Sequence, residues 1–203
     1  MTTIAVVDHG AGNLVSIAQG LERAGARVVV AATPAELESA QGIVLPGVGS
    51  TGAVMAGIRR GGFVDALRSR RVPLLGICVG MQVLFDHSDE DATSGLGLIP
   101  GRVRRLAARR LPHIGWNDVT VVRPDPLFAG TDPVFYFVHS YAPVCDDVDH
   151  VVARCEYGEP FVAAVRAGTV AGVQFHPERS ATAGLRLLSN FVASCRTAVE
   201  AVP

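Results

Sequence analysis

Residues 74–82 read LLGICVGMQ, an apolar strand-like run that breaks into Gly76-x-Cys78-x-Gly80 and continues with helical spacing. A strand, a tight glycine-flanked turn and a helix form the thiol counterpart of a nucleophile elbow. The central residue of such a turn is held in a strained backbone conformation, and side chains at the flanking positions would collide with neighbouring backbone. The turn exposes the Cys78 sulfur at the carboxyl end of a central strand, where α/β sheets place their ligands. It also sets the sulfur at a helix N-terminus, whose partial positive charge favours a thiolate. The Val79 N–H is then placed to donate to an oxyanion.

The surroundings agree with this reading. Residues 3–7, 27–31 and 42–45 are short apolar runs, and amphipathic or turn-forming stretches separate them. Leu14, Ile17, Ala18 and Leu21 share one face of a helix. Thr33-Pro34 reads as a cap followed by a first helical residue, and a further helix is expected near 52–70 before a strand at 72–77. Strands separated by helices predict a largely parallel sheet covered on both faces. From about residue 95 the texture changes to short strands at 101–106, 118–122, 134–138, 150–155, 161–166 and 169–175. Turns such as RPDP and RAGT separate them and predict an antiparallel extension of the sheet. A helix over about 181–198 closes the chain, with Ser180 as its expected cap.

Composition bounds the function. The chain has 203 residues, 49% of them hydrophobic and 18% charged, with a formal net charge of −1. This charge exerts no pull toward nucleic acid or an anionic membrane. The first residues carry no basic segment or cleavage site of a secretory leader, and no apolar run reaches the ~18 residues that span a bilayer. A soluble, cytoplasmic protein is expected. The four cysteines have neither disulfide-framework nor metal-ligand spacing, and no motif calls for a metal or cofactor. All 18 basic side chains are arginine. Arg102, Arg104, Arg105, Arg109 and Arg110 form the one basic cluster, a solvated face or a docking surface for an acidic partner.

A catalytic cysteine needs a base and a group that orients the base. The run TVAGVQFHPE (169–178) is an apolar strand ending in His176-Pro177-Glu178. On extended chain, residues 176 and 178 point the same way. A carboxylate holding one ring N–H fixes the imidazole tautomer and stabilises the imidazolium. His9, His87, His113 and His150 fall in expected turns or polar stretches, whereas His139 follows the strand VFYFV and could line the cleft.

Seven segments carry a resemblance: GAGNLVS (10–16), LPGVGS (45–50), GICVGMQ (76–82), GLGLIPGRV (95–103), LPHIGWN (111–117), FYFVHSY (135–141) and VQFHPERS (173–180). Together they make the chain similar to class I glutamine amidotransferases, and within them to glutaminase subunits of imidazole glycerol phosphate synthases. The resemblance implies one flavodoxin-like glutamine amidotransferase domain over 1–203. It implies hydrolysis of L-glutamine through a thioester on Cys78, with His176 moving the proton and Glu178 holding His176. Val48 or Gly49 would join Val79 in the oxyanion hole, and Gln82, Ser140 and Tyr141 would bind substrate. The implied partner is a TIM-barrel synthase subunit that takes the ammonia in histidine biosynthesis. Asn13, Trp116, Tyr136 and Arg179 would face it, although a tryptophan such as Trp116 suits a core as well. Arg179 stands where the family often has lysine, and His9 where a tyrosine is expected. A glutaminase serving another synthase, such as pyridoxal phosphate synthase, and a freestanding cysteine hydrolase are the alternatives.

Overall fold

A computed structural model describes residues 1–200. The first half builds four parallel strands: β1 (Thr3–Val7), β2 (Arg27–Ala31), β3 (Gly42–Leu45) and β4 (Leu74–Ile77). Between them lie α1 (Leu14–Arg23), α2 (Thr51–Arg60) and α3 (Phe63–Ser69), and α4 (Val79–Gln82) leaves the elbow. Strand β3 and β4 are buried at every position, as central strands covered on both faces must be. Helix α1 packs against the last helix, α5 (Ala181–Glu200), while α2 packs against α3 and α4.

The second half supplies β5 (Phe85–Ser88), β6 (Thr93–Ser94), β7 (Ile99–Arg105), β8 (His113–Val121), β9 (Val134–His139), β10 (Tyr141–Cys145), β11 (Val151–Tyr157), β12 (Glu159–Ala167) and β13 (Val170–Val173). The main sheet has nine strands in the order β2-β1-β3-β4-β13-β12-β11-β8-β9. Strand β13 pairs parallel to β4, and every later pair from β12 outward is antiparallel, which is the predicted extension.

Four expectations need correction. The segment at 101–106 does not extend the main sheet. It belongs to a second, four-stranded sheet in the order β10-β7-β5-β6. A fork from Arg104 to Glu159 (2.7 and 2.8 Å) ties that sheet to β12, so this member of the basic cluster has an internal partner. The helix near 52–70 is two helices, because Gly61 and Gly62 interrupt it and Gly62 adopts φ 72°. Thr33 and Pro34 open only a 3-10 turn over Pro34–Leu37, with the Glu36 carboxylate accepting from the Thr33 N–H at 2.8 Å. Ser180 does not cap α5 through its side chain. Its hydroxyl donates to the His176 carbonyl at 2.6 Å and accepts the Tyr136 N–H at 3.0 Å.

Close packing fixes the elbow. A Cβ on Gly80 would lie 1.9 Å from the Leu45 carbonyl oxygen, and one on Gly76 would lie 2.6 Å from the Gly80 carbonyl oxygen. Both glycines are therefore required by backbone contact between β3, β4 and α4. Cys78 itself sits at φ 55°, ψ −114°, a conformation that costs a non-glycine residue about 1–3 kcal/mol. The surrounding backbone hydrogen bonds hold it there. The Cys78 N–H donates to Val173 at 2.8 Å, and the Cys78 carbonyl accepts from Met81 at 3.0 Å.

Candidate active site

Strands β3, β4 and β13 are adjacent and parallel, so the segments that follow them emerge on one side of the sheet. After β3 comes Pro46–Ser50, after β4 comes Cys78, and three residues past Val173 comes His176. A cavity of about 330 Å³ lies there, lined by Val48, Gly49, Cys78, Val79, Gln82, Glu90, Pro112, Val138, His139, Ser140, Tyr141 and His176. That volume suits a small metabolite.

His176 is buried at 4% exposure, and its Nδ1 donates to Glu178 Oε1 at 2.8 Å. The route to this contact differs from the extended-chain expectation. Pro177–Arg179 forms a 3-10 turn with extended His176 as its N-cap, and the turn brings the carboxylate back to the ring. Among the described residues, the Nε2 atom has no hydrogen-bond partner. Burial alone would depress the basicity of this imidazole, but the influence of Cys78 and Glu178 outweighs it and raises the pKa to about 10. The Cys78 sulfur makes a long contact of 3.8 Å with the Val138 carbonyl, and the Gln174 amide nitrogen lies 3.6 Å from it.

The remaining expected residues divide. Val48, Gly49, Val79, Gln82, Ser140 and Tyr141 all line the cavity. The Gln82 amide nitrogen, however, is committed to the Tyr141 carbonyl (2.9 Å) and to Gln174 Oε1 (3.1 Å), which leaves its oxygen for a ligand. Asn13, Trp116, Tyr136 and Arg179 lie outside the cavity. Trp116 is 54% exposed, which removes the core reading. Its ring meets Tyr136 edge-on at 6.1 Å, and the Arg179 guanidinium lies 4.6 Å over the Tyr136 ring. Asn13 is exposed and caps α1 by accepting from the Ser16 N–H.

Sequence reasoning missed several contributors. Glu90 enters the cavity wall from a stretch with no assigned chemistry, and its carboxylate accepts from the Thr51 N–H at 2.9 Å. His113 is not in a polar stretch. It is buried in β8, stacked between Phe137 and Tyr157, and its Nδ1 lies 3.0 Å from His139 Nε2. His139 Nδ1 donates to the Tyr141 carbonyl at 2.9 Å, so the His113 Nδ1 must donate to His139. Burial lowers these pKa values to about 4 for His113 and about 3 for His139, which keeps both rings neutral at physiological pH. His9 is buried too, and its Nε2 lies 2.7 Å from the Pro46 carbonyl. No clear sequence signal marks these partners, because each is supplied by a strand or loop remote in the chain.

The sequence model of the family described as "Glutamine amidotransferase class-I" matches residues 5–195. The chain belongs to the class I glutamine amidotransferases. Among the curated members of this family, the imidazole glycerol phosphate synthase subunit HisH of Halobacterium salinarum is 50% identical, over 95% of this chain and 94% of its own. The HisH subunit of Moorella thermoacetica is 46% identical over 94% of both chains. A solved structure described as a glutamine amidotransferase superposes with a TM-score of 0.72 at 26% identity, covering 95% of this chain and 98% of that one. As a class I glutamine amidotransferase the chain is an enzyme. Among its described residues, no helix is long and apolar enough to cross a membrane, and no group of three or more His, Cys, Asp or Glu could hold a metal ion.

Proposed function

We propose that the chain is the glutaminase subunit of an imidazole glycerol phosphate synthase, releasing ammonia from L-glutamine for a TIM-barrel partner in histidine biosynthesis. The observation that carries this reading is the convergence of Cys78 and a Glu178-held His176 on one cavity. Protonated His176 is the counter-ion of a thiolate at Cys78. The thiolate attacks the side-chain amide carbon of glutamine, and the resulting oxyanion takes N–H bonds from Val79 and from Val48 or Gly49. His176 gives its proton to the departing nitrogen, ammonia leaves, and a γ-glutamyl thioester remains. Neutral His176 then removes a proton from water, the hydroxide attacks the thioester, and glutamate departs as the thiolate is restored.

Substrate is held by the Gln82 oxygen and by the Ser140–Tyr141 segment. Glu90 supplies the negative charge that an α-ammonium group requires. The partner covers Asn13, Trp116, Tyr136 and Arg179, where exposed Trp116 meets half-buried Tyr136 with an arginine stacked on it, a group of the kind that anchors interfaces. This face is bonded to the base. The Tyr136 carbonyl accepts the His176 N–H at 2.9 Å, and the Tyr136 N–H reaches Ser180. Docking on Tyr136 therefore pulls on the backbone that carries the imidazole. Glutamine hydrolysis is expected to be slow in the isolated chain and to rise at least tenfold (about 1.4 kcal/mol) when the synthase subunit and its nucleotide substrate are added. Full activity in the isolated chain, unaltered by the partner, would instead favour a freestanding hydrolase.

A further inference from the structure

Gln174 has no solvent exposure, and both ends of its amide are engaged. The orientation of that amide follows from one backbone carbonyl. Tyr141 O can only accept, so the Gln82 nitrogen must face it, and the same NH2 group donates its second proton to Gln174 Oε1. The Gln174 nitrogen is thereby turned toward Cys78 Sγ at 3.6 Å, hydrogen-bond range for the larger sulfur atom. The order Tyr141 O, Gln82, Gln174, Cys78 Sγ is a directed chain that ends with an N–H aimed at sulfur.

The sulfur needs such a donor. Cys78 is 3% exposed, so water does little to solvate an anion there. His176 supplies the opposite charge, but its proton must leave for ammonia during each turnover. An amide N–H stays in place throughout, and hydrogen bonds to ionised acceptors are the stronger ones. We propose that Gln174 is a catalytic residue whose Nε2–H donates to the Cys78 thiolate, with Gln82 as the positioning residue that aims it. The inference rests on Cys78 being the nucleophile. A purely structural Gln174 would support Gln82 and leave the reactivity of the sulfur unchanged.

Alkylation by iodoacetamide, in which the thiolate displaces iodide, reads the sulfur without glutamine or partner. Cys145, Cys155 and Cys195 provide references in the same chain, because burial pushes their thiols up to about 11, 12 and 12. The full chain is labelled as wild type, Gln174→Leu and Gln174→Met, and each site is quantified by peptide mass spectrometry. Cys78 labelling is expected to slow about tenfold at neutral pH in both variants and to recover as pH rises. Labelling of Cys145 should not change, and kcat should fall with little change in KM. If Gln174→Leu loses its cooperative melt, Gln174→Met carries the test, since it keeps the length of the side chain and removes the donor without adding a charge beside the sulfur. Gln82→Leu, which reaches the sulfur through Gln174, should slow labelling by a smaller factor. Wild-type labelling rates at Cys78 in all folded variants would overturn the proposal. A wild-type Cys78 that reacts no faster than Cys145 is a different result, and it would remove the nucleophile itself.

Discussion

Replacing Cys78 with alanine is expected to lower glutamine hydrolysis by at least about 10⁴-fold, the scale on which single members of a catalytic triad act. The change removes only Sγ. The strained turn is maintained by backbone bonds to Val173 and Met81 and by the contacts at Gly76 and Gly80, none of which involves the sulfur. The surface carrying Trp116, Tyr136 and Arg179 is untouched. The variant should therefore melt as the wild type does, bind the synthase subunit, and support synthesis when ammonia is supplied in place of glutamine. Glutamate release within about tenfold of wild type would be incompatible with a thioester at this position.

Glu178→Gln should cost about 10²–10⁴-fold in kcat, because an amide in place of the carboxylate leaves the imidazolium without its partner and no longer dictates the tautomer. The pH profile should change in a definite direction. In the wild type His176 titrates near 10, since Cys78 and Glu178 together overcome the effect of burial. Steps that need the imidazolium, which are holding the thiolate and protonating the departing amide nitrogen, persist up to that pH and fail above it. Without Glu178 the penalty of burial is less opposed, so the alkaline limb of kcat should move to lower pH. Stability follows the same sign. A folded pKa above the unfolded value gives stabilisation that is complete below about pH 6.5 and is lost as pH rises through about 10. The variant should lose that slope in its pH-dependent melting. An unchanged alkaline limb with reduced kcat would show that Glu178 acts on geometry alone.

Features that depend on local pattern were legible in the sequence. The parallel strands, the elbow at Gly76–Gly80 and the His-Pro-Glu segment each follow from neighbours within a few residues. The antiparallel extension was also legible, because turn residues separate its short strand-like segments. The small sheet was not. Strand β5 reads FDHS with exposed polar residues at its centre, and β10 and β7 find each other across a separation that no periodicity reports. The same reason hid His113, Gln174 and Ser180. A polar residue inside a strand or beside a helix declares its role only when its hydrogen-bond partner is known, and those partners are His139, Gln82 with Cys78, and Tyr136 with His176. Ser180 had a local reading as a cap, and a remote backbone N–H displaced it.

The central claim is that glutamine is cleaved by covalent attack from Cys78. The most direct measurement is peptide-resolved mass spectrometry of the assembled synthase, acid-quenched at short intervals during glutamine turnover. The account predicts an acyl group equal in mass to glutamine minus ammonia on the peptide containing Cys78, rising before glutamate reaches its steady rate. An acyl group on another residue, or unmodified Cys78 at every interval while glutamate accumulates, would contradict it.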